Sequence, residues 1–584
     1  MERVILESGK SNYSIVTSKF AAEGVLYAAS ELYKYLFLST NTLLPYYSDR
    51  CVKRGPEIRI GEGARGKRED LSVLSEEGYL IKTDGEDIII TGQTPRGVIY
   101  GVYRFLEQMI AFRCFTKDVE TYDTLEKIVV PDLQICENPA FEYRDMYFRG
   151  AFDESFAVKN RLNSTLAMIP TEKGGKMKFF NLHHSFYDII PPEKYFASHP
   201  EWFSEWEGER VYKKDIWDTQ LCLTNPEMVE EAIQNVRNWI RSRPDCRVFS
   251  VAQNDSRFYC TCPKCRAVDA EEGSQAGTVI AFVNKIAERL QPEFPHVLFH
   301  TFAYWYSKKA PKEIRAADNV IVRLGNIECQ WQDSFENISR REPESNCRKF
   351  IENLDLWAQH CKHLYIWDYT CNFANYLLPF PNFHALKENL KFYRDHHVAG
   401  VLEQGNFAYG NASGLAELKS YVGAKLLWNP DADVDDLIYE FTQGCYGSAG
   451  KYIREYVALL EQAVAKSTLD LYYMADRDFI TDELVEKAQE LFREALAQAE
   501  TPQIYERLER EALSVEYLQL VRSPLDTPGR NARADALHEK LKKHHITEIF
   551  ERKDLETSMQ VVKNSRYCKE RDNPAPIWMY YIMK

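Results

Sequence analysis

Between residues 140 and 410 the chain repeats one pattern, in which short apolar runs are set apart by helical or long loop segments. The runs are Tyr143–Phe148, Thr165–Ile169, Met177–Leu182, Val248–Ala252, Val297–Phe302, Val320–Leu324, Leu364–Trp367 and Gly400–Leu402. They read as continuously apolar rather than alternating, so both faces of each strand are expected to be covered. That is the condition of parallel strands in an α/β fold. Eight such runs predict a (β/α)8 TIM-like barrel over residues 140–410. One spacing departs from the pattern. Only about seven residues separate Thr165–Ile169 from Met177–Leu182, too few for a crossover helix. Either the barrel is irregular there or one of the runs is not a strand.

The flanks read differently. Residues 1–139 predict a small α/β accessory domain: strands at Val4–Leu6, Ser14–Val16 and Ile58–Ile60, a helix over Ala21–Leu36, and a hairpin formed by Gly78–Lys82 and Asp87–Thr91. A Pro- and Gly-containing turn then opens a helix at Thr94-Pro95, and Asn138-Pro139 marks the exit. Residues 411–584 carry apolar positions at i, i+3, i+4 spacing with Glu, Lys and Arg between them. This predicts helices at Leu415–Leu427, Val434–Gln443, Ala449–Ala465, Asp482–Ala499, Ile504–Ser523 and Ala534–His544.

Composition narrows the partners. Seventy-three Lys and Arg stand against 87 Asp and Glu, a formal net charge of −14, and no basic stripe exists to exchange counterions with a nucleic-acid backbone. No run of 18 apolar residues suggests a membrane span, and Met1–Glu7 lacks the charged and apolar regions of a signal peptide, so a cytoplasmic location is expected. The 14 irregularly placed Cys residues then read mostly as reduced thiols. Aromatic residues reach 13%, an excess that suits a site stacking flat sugar faces.

In a parallel barrel the ends of the strands face the ligand. Here the runs end in Arg149, His183-His184, Gln253-Asn254-Asp255, Tyr304-Trp305, Asn326-Ile327-Glu328, Trp367-Asp368-Tyr369 and Glu403-Gln404. Carboxylates at four ends with rings between them supply what glycosidic cleavage needs. One acid protonates the leaving oxygen, and a second carboxylate, or the substrate's own acetamido group, stabilises the oxocarbenium-like state. Asp255, Glu328 and Glu403 are therefore the candidate catalytic residues. Arg149, His183, His184, Asn254, Tyr304, Trp305, Trp367, Asp368 and Tyr369 are the candidate substrate contacts. The bland alternative for Asp255 is turn chemistry in Asn254-Asp255-Ser256. No cofactor is required by this chemistry. Separately, Cys260, Cys262 and Cys265 can gather around a structural zinc if Cys222 or a His supplies the fourth ligand, or they form a loop of thiols or one disulfide.

The stretch Ile90–Glu107 resembles the N-terminal accessory domain shared by family 67 α-glucuronidases and family 20 β-N-acetylhexosaminidases. Tyr195–Phe203, Gln220–Pro226, Ser250–Asp255 with the three-Cys loop, Tyr365–Tyr369, Pro379–Asn382 and Gly400–Gly405 resemble domain-of-unknown-function family 4838. That family includes glycoside hydrolase family 163, which acts as an endo-β-N-acetylglucosaminidase on complex N-glycans. The resemblance implies a glycan substrate and hydrolysis at an N-acetylhexosamine with substrate assistance. Asp255, with Asn254 beside it, would orient the acetamido group, Glu328 would be the acid, and Glu403 would bind the ring or replace Glu328. Two competing expectations are an exo-acting α-glucuronidase, with Arg149 pairing a uronate carboxylate, and a non-catalytic carbohydrate-binding protein.

Overall fold

The structure is a computed structural model describing residues 3–66, 68–212, 219–407 and 414–564. The chain divides into two compact units. One comprises Met177–Tyr369 with Glu388–Glu403; the other comprises Met1–Lys176, Thr370–Lys387 and Gln404–Lys584.

The first unit is built on strands β1 (Phe179–Phe180), β2 (Val248–Ser250), β3 (Leu298–Ala303), β4 (Val320–Gly325), β5 (His363–Tyr369) and β6 (Val398–Gln404), which lie side by side in chain order. Pairing from β1 through β5 is parallel, with Phe179 opposite Val248, Phe299 opposite Val320 and Ile321 opposite His363. The sheet is a curled parallel half-barrel. Every residue of β2 and β4 is buried, as the continuous apolar runs required. The connections carry helices at Pro226–Ser242, Pro263–Glu272, Ala276–Leu290, Phe335–Arg341 and Asn346–His360. The first of these starts where Pro226 follows Asn225, whose side chain accepts from the backbone N–H groups of Glu227 and Met228.

The second unit contains a six-stranded mixed sheet, in the order Gln134–Glu137, Tyr79–Asp84, Asp87–Gly92, Glu57–Ile60, Ser14–Thr17 and Tyr46–Ser48, with helices Glu23–Thr40 and Pro95–Met109. The hairpin is antiparallel, with Asp84 opposite Asp87. Thr94 caps the second helix by accepting from the Gly97 N–H. A Cβ at Gly97 would stand 2.4 Å from the Gly78 carbonyl oxygen, so only glycine lets that helix approach the hairpin. The same unit holds the strand Tyr143–Tyr147 and the C-terminal helices Ala416–Trp428, Val434–Tyr446, Gly450–Val464, Asp482–Ala497, Pro502–Arg522, Arg530–Lys543 and Leu555–Asn564. Among the described residues no helix is long and apolar enough to cross a membrane.

One of the eight expected strands is corrected. Thr165–Ile169 forms turns rather than a strand: Ala167 N–H donates to the Ser164 carbonyl, Leu166 N–H to the Ser164 hydroxyl, and Met168 is exposed. Ser164 supplies a local side-chain acceptor and Pro170 closes the run, so the segment satisfies its backbone locally. The short spacing to β1 is thereby explained.

A buried ion cluster braces the second unit. Glu77 accepts from Arg144 and Arg96, and Asn163 Nδ2 donates to it at 2.9 Å. Arg144 is fully buried and also donates to the carbonyls of Phe141 and Arg161 at 2.6 and 2.8 Å. Burial pushes the Glu77 carboxyl up, but the two guanidinium groups outweigh it and hold the carboxyl down at about 2. Stability from Glu77 is therefore present above the ordinary value of 4.5 and lost as pH falls from there toward about 2. Glu77→Gln strands the Arg144 charge and is expected to lower unfolding free energy at pH 7 by ~3–5 kcal/mol. Denaturant unfolding as a function of pH should show the deficit shrinking through that acid window.

Candidate active site

The C-terminal ends of β1 to β6 carry the predicted site residues of the first unit. After β2 the chain leaves the strand at once. Ser250 donates its hydroxyl proton to the His183 carbonyl at 2.8 Å and faces His300 Nδ1 at 3.0 Å. Gln253 is fully buried: its amide donates to the Tyr304 carbonyl at 2.7 Å and accepts from the Ser307 hydroxyl at 2.8 Å. Its own carbonyl lies 2.5 Å from His184 Nδ1. A carbonyl only accepts, so Nδ1 of His184 carries a proton.

Asn254 turns away from the strand ends. Its Nδ2 donates to the Thr219 carbonyl at 2.7 Å, and its backbone exchanges hydrogen bonds with the Gln220 amide at 2.9 Å in both directions. Asp255 does the opposite and is exposed. The indole N–H of Trp305 donates to its Oδ1 at 3.2 Å, and the Arg257 guanidinium lies 3.9 Å from the Trp305 ring centroid. Trp305 has φ +51°, in the left-handed region that non-glycine residues rarely occupy. Its ring is nonetheless held, by Asp255 on its edge and Arg257 on its face.

Rings line the rest of this rim. Tyr304 packs 5.2 Å from Trp305 and 6.2 Å from His184. Phe302 bridges His184 at 5.1 Å and Trp367 at 5.7 Å, and His183 lies 5.6 Å from Trp367. Tyr304, Trp305 and Trp367 are each only partly buried, so they can offer faces to a ligand. Beneath them His300 is fully buried. Desolvation, together with Arg323, His183 and His184, pushes it well below the ordinary histidine range and keeps it neutral.

The four carboxylates fall into two classes. Asp255 and Glu328 are exposed, whereas Asp368 and Glu403 are buried. Glu328 pairs with Lys308, and its backbone carbonyl accepts from Asn346 Nδ2 at 3.0 Å. Asp368 accepts from Asn326 Nδ2 and Trp331 Nε1, both at 2.8 Å, from the Tyr369 N–H at 2.7 Å and from the Tyr393 hydroxyl at 2.6 Å. Burial raises the Asp368 carboxyl, and these four donors oppose that shift. The Tyr393 hydroxyl is driven well above its ordinary range by burial and by the charges of Asp368 and Glu403, so both buried acids act on one phenol. Tyr369 packs its ring 6.1 Å from Trp331.

The structure thus gathers His183, His184, Asp255, Tyr304, Trp305 and Trp367 along one rim. Asn254 is turned to the Thr219-Gln220 segment, and Asp368 into the layer holding Tyr393 and Trp331. Arg149 belongs to the other unit, where it is exposed at the start of a short 3-10 turn. Cys260, Cys262 and Cys265 converge with Cys222, all four buried. Sequence reasoning missed Arg257, Phe302 and Tyr393. Arg257 was legible as a cation two residues from Asp255, but Tyr393 lies on a helix and had no local signal.

A curled parallel sheet with acids and rings at the ends of its strands is the barrel type shared by many glycoside hydrolases. Residues 114–458 match the model of the family described as domain of unknown function (DUF4838), and the chain belongs to that family. Residues 6–105 match the model of the glycosyl hydrolase family 67 N-terminus. Over 94 residues the chain is 32% identical to a β-hexosaminidase of Porphyromonas gingivalis, a match spanning 15% of this chain and 11% of that protein. Its fold is similar to that of a family GH115 4-O-methyl-α-glucuronidase with specificity for decorated arabinogalactans, at TM-score 0.59 and 10% identity over 98% of this chain and 81% of that one. A chitobiase of Flavobacterium johnsoniae aligns with TM-score 0.47 and 11% identity over 96% of both chains.

Removing the shortest of the four hydrogen bonds to Asp368 tests the buried layer. Tyr393→Phe is expected to lower unfolding free energy by ~1–3 kcal/mol. The phenol serves the ionised carboxylate best, so the loss should be larger at pH 8 than at pH 4. Denaturant midpoints at the two pH values check this.

Proposed function

We propose that the chain is a glycoside hydrolase cleaving an O-glycosidic bond at an N-acetylhexosamine of a glycan, by a substrate-assisted mechanism. The observation that carries the reading is the exposed Asp255 carboxylate, tied to the Trp305 indole at 3.2 Å at a strand end lined by Tyr304 and Trp367. Its support in relatives is the partial likeness to a β-hexosaminidase for the sugar, while the family 67 N-terminal match supports glycoside hydrolysis in general.

In this reading the rings of Tyr304, Trp305 and Trp367 hold the apolar faces of the sugar. Asp255 accepts the acetamido N–H and turns the acetamido oxygen toward the anomeric carbon. That oxygen forms the new C–O bond as the leaving oxygen departs with a proton from Glu328. Water then attacks the cyclic intermediate, returning the proton to Glu328 and reopening the acetamido group. Lys308 pairs with Glu328; in this reading substrate displaces that pair and Glu328 takes up from solvent the proton it passes to the leaving oxygen. Glu403, fully buried at the end of β6, is the alternative in this reading, binding the ring or replacing Glu328 as the acid.

A panel of aryl glycosides and N-glycans tests the reading. Asp255→Asn is expected to lower kcat/KM on N-acetylglucosaminides by about 100- to 10,000-fold. Glu328→Gln should lose a similar factor on natural glycans and much less on aryl glycosides whose leaving group needs no proton. Turnover of uronides alone would favour the α-glucuronidase reading suggested by residues 6–105. Binding without turnover, unchanged in both variants, would make the chain a carbohydrate-binding protein.

A further inference from the structure

We propose that Cys222, Cys260, Cys262 and Cys265 form a structural zinc site that fixes the loop carrying Asp255. The four Sγ atoms lie within 4.8 Å of one another, and Cys222 and Cys262 are 3.7 Å apart. A tetrahedral zinc thiolate site with Zn–S bonds near 2.3 Å has sulfur–sulfur edges of about 3.8 Å. A disulfide needs sulfur atoms about 2.05 Å apart, far closer than that pair. All four residues are at most 5% exposed, which closes the site to solvent and substrate and suits a structural rather than a catalytic metal.

The chain builds the cluster from three places. Cys222 ends the Thr219–Cys222 segment, Cys260 lies in the loop after β2, and Cys262 and Cys265 sit at the N-cap and in the first turn of the helix Pro263–Glu272. That helix start favours thiolate charge. Further donors surround the sulfur atoms. The Glu205 N–H reaches Cys260 Sγ at 3.4 Å, Arg210 reaches the same sulfur at 3.6 Å, and the Thr224 hydroxyl lies 3.2 Å from Cys265 Sγ. Neutral thiols or disulfides have little use for such donors, whereas four thiolates on one Zn²⁺ leave a net charge of −2 that a guanidinium and N–H groups offset. On binding, four S–H protons pass to solvent and four Zn–S bonds form, with no change of oxidation state.

Position gives the site its role. The Cys222 segment also carries Gln220, which grips Asn254 from both sides of its peptide, and the Cys260 end of the loop is tied down by Thr261, whose N–H and hydroxyl donate to the Glu205 carbonyl at 2.8 and 2.7 Å. Asp255 and Arg257 lie between these anchors. Zinc at the cluster therefore holds both ends of the loop that presents Asp255 to Trp305.

Metal content of the full chain, expressed with zinc available and purified in reducing, chelator-free buffer, decides the matter. Elemental analysis is expected to give about one zinc per chain, and a mercurial thiol reagent should release it. Cobalt substitution should produce the intense visible bands of tetrahedral thiolate ligation. Cys222→Ser and Cys265→Ser should each retain at least tenfold less zinc, and the zinc-free chain should melt at lower temperature. Folded wild-type protein with no zinc and Cys222, Cys260, Cys262 and Cys265 all free as thiols, with disulfides among these four by mass spectrometry, or with iron in place of zinc overturns the proposal, whatever the variants do.

Discussion

The parallel sheet of the first unit is covered on both faces, and that constraint decides where chemistry can occur. Strands such as Val320–Gly325, buried at every position, have no room for a solvated polar group along their length. Polar side chains inside the sheet survive only with compensation. His300 is held neutral and linked to Ser250, Arg323 lies 5.2 to 5.7 Å from the ring centroids of Phe179, Tyr365 and Trp367, and Asp368 has four donors. What remains is the rim. Asp255, Trp305, Tyr304 and His183 stand where the strands give out.

That rim is held by tethers more than by packing. Gln253 is buried and clamps the Tyr304 backbone, while the Gln220 side chain grips Asn254 on the other side. Between them Asp255 projects outward with its carboxylate held by an indole N–H. A carboxylate anchored at one oxygen keeps a lone pair of the other for a ligand, and the left-handed backbone at Trp305 fits a residue whose place at a site matters more than its local comfort. The exposed acids can touch a substrate, and buried Asp368 ties Tyr393 and Trp331 into one hydrogen-bonded layer.

Much of this was legible in the sequence because burial on both faces leaves a plain signature. Seven of the eight apolar runs are strands; Thr165–Ile169 misled because its Ser164 and Pro170 flanks supply turn chemistry that outweighs its apolar side chains. The C-terminal helices follow their apolar spacing within a few residues. The site was legible at the level of which strand ends carry acids and rings, but not which way they point. Asn254 and Asp255 are neighbours with opposite fates, since a partner on a distant segment, Thr219-Gln220, captures one and leaves the other exposed. Tyr393 gave no sign, because its tie to Asp368 exists only once a helix docks on the sheet. Cys222, about forty residues from the three-Cys loop, was nameable as a fourth thiol only as one choice among several.

The proposed function places binding and cleavage of an N-acetylated sugar at the Asp255–Trp305 rim of the parallel half-barrel. A crystal structure of the chain with an N-acetylglucosamine-derived thiazoline, the cyclic analogue of the intermediate formed by an acetamido nucleophile, tests it most directly. The thiazoline nitrogen is expected within hydrogen-bond reach of the Asp255 carboxylate, with the sugar face against Tyr304, Trp305 or Trp367. A thiazoline seated elsewhere, with Asp255 untouched, would contradict it.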